Sequence, residues 1–120
     1  MKKIKPYLAY NNYNLKKALS IMKKNGQRCC IIVDKKKHLL GTLSDGDVRK
    51  AILKKNNIQK SVMNFCNKNS KYFTEGKYNN SKIKKAFLKE RYDLIPIVDK
   101  NKIVKKVLLS KLFFKSKKRI

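Results

Sequence analysis

Ser44 and Asp47 stand three residues apart in Gly41-Thr42-Leu43-Ser44-Asp45-Gly46-Asp47-Val48-Arg49-Lys50, a stretch that gathers glycine, hydroxyl, carboxylate and guanidinium groups. Two chemistries fit that spacing. As a capping box, the serine oxygen accepts from the third N–H of a helix while the acid reaches back to the N–H of the cap. As a ligand cradle, the free N–H groups of a helix start behind a glycine-containing turn take a phosphate. Val48, Ala51 and Ile52 are apolar at i, i+3 and i+4, which predicts an amphipathic helix in either case. The stretch by itself does not choose.

Other groups that could do chemistry are few. His38 is the only histidine and is expected in a solvent-facing turn, and no cysteine has a histidine placed beside it as a nucleophile pair. Cys29, Cys30 and Cys66 offer neither zinc spacing nor a disulfide framework. Cys29 and Cys30 open the apolar run Cys29-Cys30-Ile31-Ile32-Val33 and read as small core residues kept reduced in a cytosol. The acids are Asp34, Asp45, Asp47, Glu75, Glu90, Asp93 and Asp99; Asp34 and Asp99 fit hairpin turns, where Asp bonds its own backbone. No catalytic residue and no metal site is expected, and the chain is not expected to be an enzyme.

The elements that position the stretch must come from 120 residues, enough for one small domain or two half-sized units sharing a core. The hydrophobic content of 42% suffices for a folded core. The net charge of +26 ordinarily points to nucleic acid or an anionic membrane. Yet all but four of the 33 cations are lysine, and 12 asparagines and abundant isoleucine accompany them. That is what an AT-rich genome writes at unconstrained surface positions, so most of the charge is assigned to solvated faces. The start lacks the apolar region of a signal peptide, and no run approaches the roughly 20 apolar residues that cross a bilayer. A soluble, cytoplasmic protein is expected.

The chain repeats itself. Val33-Asp34 and Val98-Asp99 superpose 65 residues apart, and in that register Ala18 meets Ile83, Met22 meets Phe87 and Cys30-Ile31-Ile32 meets Ile95-Pro96-Ile97. Beyond the turn, a one-residue deletion is expected: Leu39-Leu40 then meets Ile103-Val104, Ser44 meets Leu108 and Asp47 meets Lys111. Each half reads as helix, buried strand, Asp/Lys/Asn turn, second strand, helix. A half of this size is marginal alone, so two copies packed together are expected.

This order, closing in Gly41-Thr42-Leu43-Ser44-Asp45-Gly46-Asp47, resembles a CBS domain, and its repetition resembles a CBS pair, or Bateman module. The family string is Gly, hydrophobic, any, Thr or Ser, any, any, Asp; Gly41, Ser44 and Asp47 match it and Thr42 departs from it. The resemblance runs from about Pro6 to Phe114. It implies an α/β fold of two lobes with small sheets flanked by helices, repeat one in 1–60 and repeat two in 61–120. "LLGTLSDGDVRKAIL" and "LIPIVDKNKIV" are similar to the CBS pairs that precede a nucleotidyltransferase domain in proteins making nucleotide sugars. No glycine-rich nucleotidyltransferase motif is present, so the chain is expected to end at a domain boundary ahead of one.

The resemblance also implies a ligand: an adenine nucleotide such as AMP, ADP or ATP, with no cofactor required. It assigns phosphate to Ser44 and ribose to Asp47. That division is chemically sound, since a carboxylate accepts from vicinal hydroxyls while hydroxyl and N–H groups donate to the anion. Thr42 belongs to the same string, Arg49 is placed to fork onto phosphate, and Asp45 to support the turn. Tyr7, Leu8 and Ala9 on one side and Cys30 and Ile31 on the other are expected to form the adenine slot. The second repeat lacks the polar string, so one nucleotide per chain is expected. A homodimer through the helices is expected, with Phe87, Leu88 and Phe113 as apolar contacts. Two alternatives stand beside this regulatory reading: a basic nucleic-acid-binding module, with Tyr72, Phe73 and Tyr78 stacking on bases, and a ligand-free dimerisation module.

Overall fold

The computed structural model describes residues 3–90 and 92–113. The first α-helix of each repeat is capped, and a short strand that the expected order lacked precedes it. Asn14 accepts from the N–H of Lys17 at 2.9 Å at the start of α1 (Leu15–Asn25), and Asn79 accepts from the N–H of Lys82 at 2.9 Å at the start of α3 (Asn80–Glu90). Such caps stabilise a helix by about 1 kcal/mol. α1 ends on Gly26, whose φ of 70° is the left-handed conformation that closes helices at low cost only in glycine. α1 buries Leu15, Ala18 and Met22; α3 buries Ile83 and Phe87.

The strands form two three-stranded sheets. In the first, β1 (Leu8–Tyr10) runs parallel to β2 (Cys29–Val33), which pairs antiparallel with β3 (Leu39–Ser44). In the second, β4 (Phe73–Thr74), β5 (Leu94–Val98) and β6 (Val104–Leu109) repeat that order. α2 (Asp45–Leu53) follows β3, and α4 (Ser110–Phe113) follows β6. Every residue of β2 and β5 is buried, as continuous apolar runs require. Cys29, Ile31 and Val33 pack with Leu94, Val98, Val107 and Leu109 between the sheets, while Cys30 and Ile32 pack with the core residues of α1 and α2. Full burial of each such aliphatic side chain contributes about 1.5–3 kcal/mol.

The repeat register runs without a deletion, which corrects the expected one-residue gap. Cys29 pairs with Ser44 as Leu94 pairs with Leu109, and Val33 pairs with Leu39 as Val98 pairs with Val104. The turns explain this. Asp34 N–H donates to the His38 carbonyl and Asp99 N–H to the Ile103 carbonyl, so both hairpins have one length. Lys37 and Lys102 take the same positive φ, 70° and 67°. Ser44 therefore meets Leu109 and Asp47 meets Leu112. The hairpins also join the two lobes, through Leu39 N–H to the Lys102 carbonyl and Val104 N–H to the Lys37 carbonyl, both at 2.9 Å.

The Asp turns titrate with the fold. Asp34 Oδ1 accepts from the N–H groups of His38 and Lys36 at 2.9 Å, and Asp99 Oδ1 accepts from those of Ile103 at 3.0 Å and Asn101 at 2.8 Å. These backbone donors, His38 and Ile103 foremost, hold both carboxyls below the usual carboxylate range. His38 Nδ1 also lies 2.9 Å from Asp34 Oδ2. A lowered folded pKa stabilises the fold above the unfolded value of about 3.9, and that contribution is lost as pH falls through the lowered folded value. Melting midpoints are expected to fall below about pH 4, and less steeply in an Asp34→Asn/Asp99→Asn double variant. Equal acid slopes in the two proteins would contradict this.

The helix faces correct part of the expected assembly surface. Phe87 is buried at 3% exposure against the second sheet, because it lies one turn beyond buried Ile83. Leu88 is 69% exposed. The side chain of Phe113 lies outside the described residues.

Candidate functional site

The Ser44–Asp47 stretch forms both halves of a capping box. Ser44 Oγ accepts from the Asp47 N–H at 3.2 Å, and Asp47 Oδ2 accepts from the Ser44 N–H at 2.9 Å. Ser44 Oγ also donates to Asp47 Oδ2 at 3.0 Å. Among the described residues, Asp47 Oδ1 has no hydrogen-bond partner. A carboxylate accepts at both oxygens, so one face of Asp47 remains open to donors while the other fixes its orientation. β3 delivers Ser44 to this place and the first turn of α2 delivers Asp47.

Opposite lies the second repeat. Thr42, Ser44 and Asp47 line a cleft of about 250 Å³ together with Ser70, Tyr92 and Asp93; Cys29, Asn67, Lys71, Glu90 and Leu94 complete its wall. The crossing chain is fixed there by a reciprocal pair, Thr42 N–H to the Asn67 carbonyl at 3.1 Å and Asn67 N–H to the Thr42 carbonyl at 2.7 Å. Arg28 Nη2 approaches Asp93 Oδ1 at 3.8 Å from the equivalent position of the first repeat. Burial, and next the charge of Glu90, push the Tyr92 phenol up.

Of the expected site residues, the structure brings Thr42, Ser44 and Asp47 together in the cleft. Asp45 and Arg49 are exposed and pair with each other at 3.5 Å, an i, i+4 ion pair on α2 that lines no part of the cleft. Tyr7, Leu8, Ala9, Cys30 and Ile31 are not brought to it either. Leu8 and Ile31 pack between the sheets with Tyr7 at their edge, and Ala9 and Cys30 pack in the core of the first lobe. The reason is the internal symmetry: the wall facing Asp47 comes from the other copy. Asp93 and Leu94 occupy there the positions that Arg28 and Cys29 occupy in the first repeat. Reading the repeat as two facing copies, rather than two separate ones, is the signal that finds Tyr92, Asp93 and Leu94.

The cysteines have no nucleophile's environment. Burial pushes the Cys30 thiol up to about 12 and the Cys29 thiol higher still, and it raises Cys66 as well. The thiolate, which is the reactive form, is thereby disfavoured. Among the described residues, no group of three or more His, Cys, Asp or Glu side chains is placed to hold a metal ion. No described helix is long and apolar enough to cross a membrane.

Residues 2–54 match the family model of the CBS domain. The fold of the described residues matches that of solved CBS domain proteins, a CBS domain pair among them. A CBS domain pair/ACT domain protein from Thermotoga maritima superposes with a TM-score of 0.75 at 19% identity, covering 96% of this chain and 95% of that one. A CBS domain protein from Pyrobaculum aerophilum, solved in complex with AMP, has a TM-score of 0.76 at 14% identity over 91% of this chain and 82% of its own. The CbpB protein of Listeria monocytogenes, solved with c-di-AMP, has a TM-score of 0.75 at 18% identity over 91% and 84%. No curated protein sequence matches the chain. The two facing sheets and their flanking helices are thus a CBS-pair arrangement.

Proposed function

We propose that the chain is a regulatory module that binds an adenine nucleotide in the cleft, with the ribose hydroxyls on Asp47. The observation that carries this is the convergence of the capped Asp47 carboxylate, open at Oδ1, with Tyr92, Asp93 and Leu94 of the other repeat. Structures of like fold that hold AMP and c-di-AMP support the ligand class. Tyr92 and Leu94 supply an aromatic and an aliphatic surface for the base, and Thr42 and Ser70 supply hydroxyl groups. Thermal melts with AMP, ADP and ATP test the reading, because a ligand selective for the folded state raises the midpoint. No shift with any of them at millimolar concentration would defeat it and favour the ligand-free dimerisation module.

The module, taken as repeats 1–60 and 61–120, acts in the cytoplasm on an attached sugar-phosphate nucleotidyltransferase domain; the wording of the chain around Gly41–Leu53 and Leu94–Val104 supports that context. Control of this kind requires the nucleotide to bind two states of the assembly unequally. The assembly is a homodimer through the helices, for which Leu88 and the exposed Ile52 and Leu53 offer apolar contact. Two chains of net charge +26 repel, so salt favours the pair. Sedimentation is expected to show more dimer at physiological than at low ionic strength, and a monomer at both, well above micromolar concentration, would contradict it. Of the residues the nucleic-acid reading would stack on bases, Phe73 is buried and Tyr78 packs against it, while Tyr72 is exposed with the Lys102 ammonium 5.1 Å from its ring centroid.

A further inference from the structure

Two adjoining cavities carry opposite charge. The cleft at Asp47 is lined by the carboxylates of Asp47, Glu90 and Asp93 against the single ammonium of Lys71, with the Arg28 guanidinium outside the lining, 3.8 Å from Asp93. Beside it, a groove of about 330 Å³ shares Lys71, Glu90 and Tyr92 with the cleft and runs along α3, where it gains the ammonium groups of Lys82, Lys85 and Lys89. The groove more than doubles the space open to a ligand that enters the cleft. Its lysines outnumber its one carboxylate by four to one.

A nucleotide has two ends with opposite needs. Ribose hydroxyls donate, and they suit a wall of carboxylates. Phosphates are repelled by the same wall. Ser44 does not relieve this, because its single hydroxyl proton is given to Asp47 Oδ2 at 3.0 Å and its oxygen already accepts the Asp47 N–H. A phosphate contact from Ser44 would turn that proton away from Asp47 Oδ2 and leave the two backbone bonds of the capping box in place, and a neutral hydroxyl adds no positive charge. Arg49 does not relieve it either, since it pairs with Asp45 and lines neither cavity. The groove is an adjoining place where positive charge predominates, and it shares Lys71, Glu90 and Tyr92 with the cleft. A second cavity, of about 260 Å³ with Lys68 and Lys102, shares Ser70 alone. We propose that the phosphate chain of the ligand leaves the cleft past Lys71 and lies along Lys82, Lys85 and Lys89, so that the chain prefers adenine nucleotides with two or three phosphates over AMP. This rests on the reading that Asp47 holds the ribose.

Calorimetric titration with AMP and with ATP, without divalent cation and at physiological ionic strength, tests it in four proteins. In the unaltered chain, ATP is expected to bind at least tenfold more tightly than AMP. A Lys82→Ala/Lys85→Ala/Lys89→Ala variant removes that preference and leaves AMP affinity within twofold. A Lys16→Ala/Lys23→Ala/Lys24→Ala variant takes the same charge from exposed positions of α1 and keeps the preference. Asp47→Asn weakens both nucleotides alike. Equal affinities in the unaltered chain, or equal losses of ATP binding in the two lysine variants, would overturn the groove assignment. So would a preference for ATP that survives the α3 substitutions while Asp47→Asn still weakens binding. Unchanged binding of both nucleotides in Asp47→Asn would instead remove the ribose reading, and the groove with it.

Discussion

Asp47→Asn is expected to lower nucleotide affinity by tenfold or more while the protein stays folded. A charge-assisted hydrogen bond contributes about 1.5–3 kcal/mol, and about 1.4 kcal/mol is a factor of ten in affinity. The stability effect is smaller. Asparagine keeps an oxygen that accepts from the Ser44 N–H, and even a full loss of the cap costs about 1 kcal/mol. The two effects separate because Oδ2 serves the helix and Oδ1 faces no protein donor among the described residues. Titration calorimetry reads the first and denaturant melts read the second. Undiminished affinity with a lowered midpoint would leave Asp47 as a helix cap alone.

Gly41→Ala is expected to lower stability by about 1–3 kcal/mol, the usual cost of forcing a group into a packed site. A Cβ at Gly41 would sit 2.6 Å from the Asn67 carbonyl oxygen and 3.3 Å from Cys66 Sγ. The first neighbour is backbone, held in place by the reciprocal Thr42–Asn67 pair, so it yields only by giving up those hydrogen bonds. Because Asn67, Ser70 and Lys71 form part of the cleft wall, nucleotide binding should weaken as well. Gly46→Ala is the control. Its Cβ would lie at an ordinary 3.7 Å from Ser44 Oγ inside α2, where alanine is favoured over glycine by roughly 0.5–1 kcal/mol. Similar midpoints for the two variants would show that the crossing chain at Asn67 is not what requires glycine at position 41.

Much of this was legible before any coordinates. The apolar runs of β2 and β5 announced strands covered on both faces, the period of α1 announced its buried face, and the 65-residue repeat announced two lobes. β1 and β4 were not legible, since three and two residues are too few to show an alternation. The hairpin register was misplaced for a related reason: Leu39-Leu40 and Ile103-Val104 are interchangeable in hydropathy, and only the Asp-anchored turn length decides between them. The string at Gly41–Asp47 located one wall of the cleft. The other wall was hidden because it depends on how the copies face each other, a relation that local pattern does not encode. The corrected register strengthens the inequality of the two repeats. Leu109 and Leu112 stand where Ser44 and Asp47 stand, and neither offers a hydroxyl or a carboxylate.

A crystal structure of the chain grown with AMP tests the central claim most directly. One nucleotide per chain is expected, in the cleft between the repeats, with its ribose hydroxyls within hydrogen-bond distance of the Asp47 carboxylate. A nucleotide with its ribose beside Leu112 and none at Asp47, or two equivalent nucleotides per chain, would contradict the account.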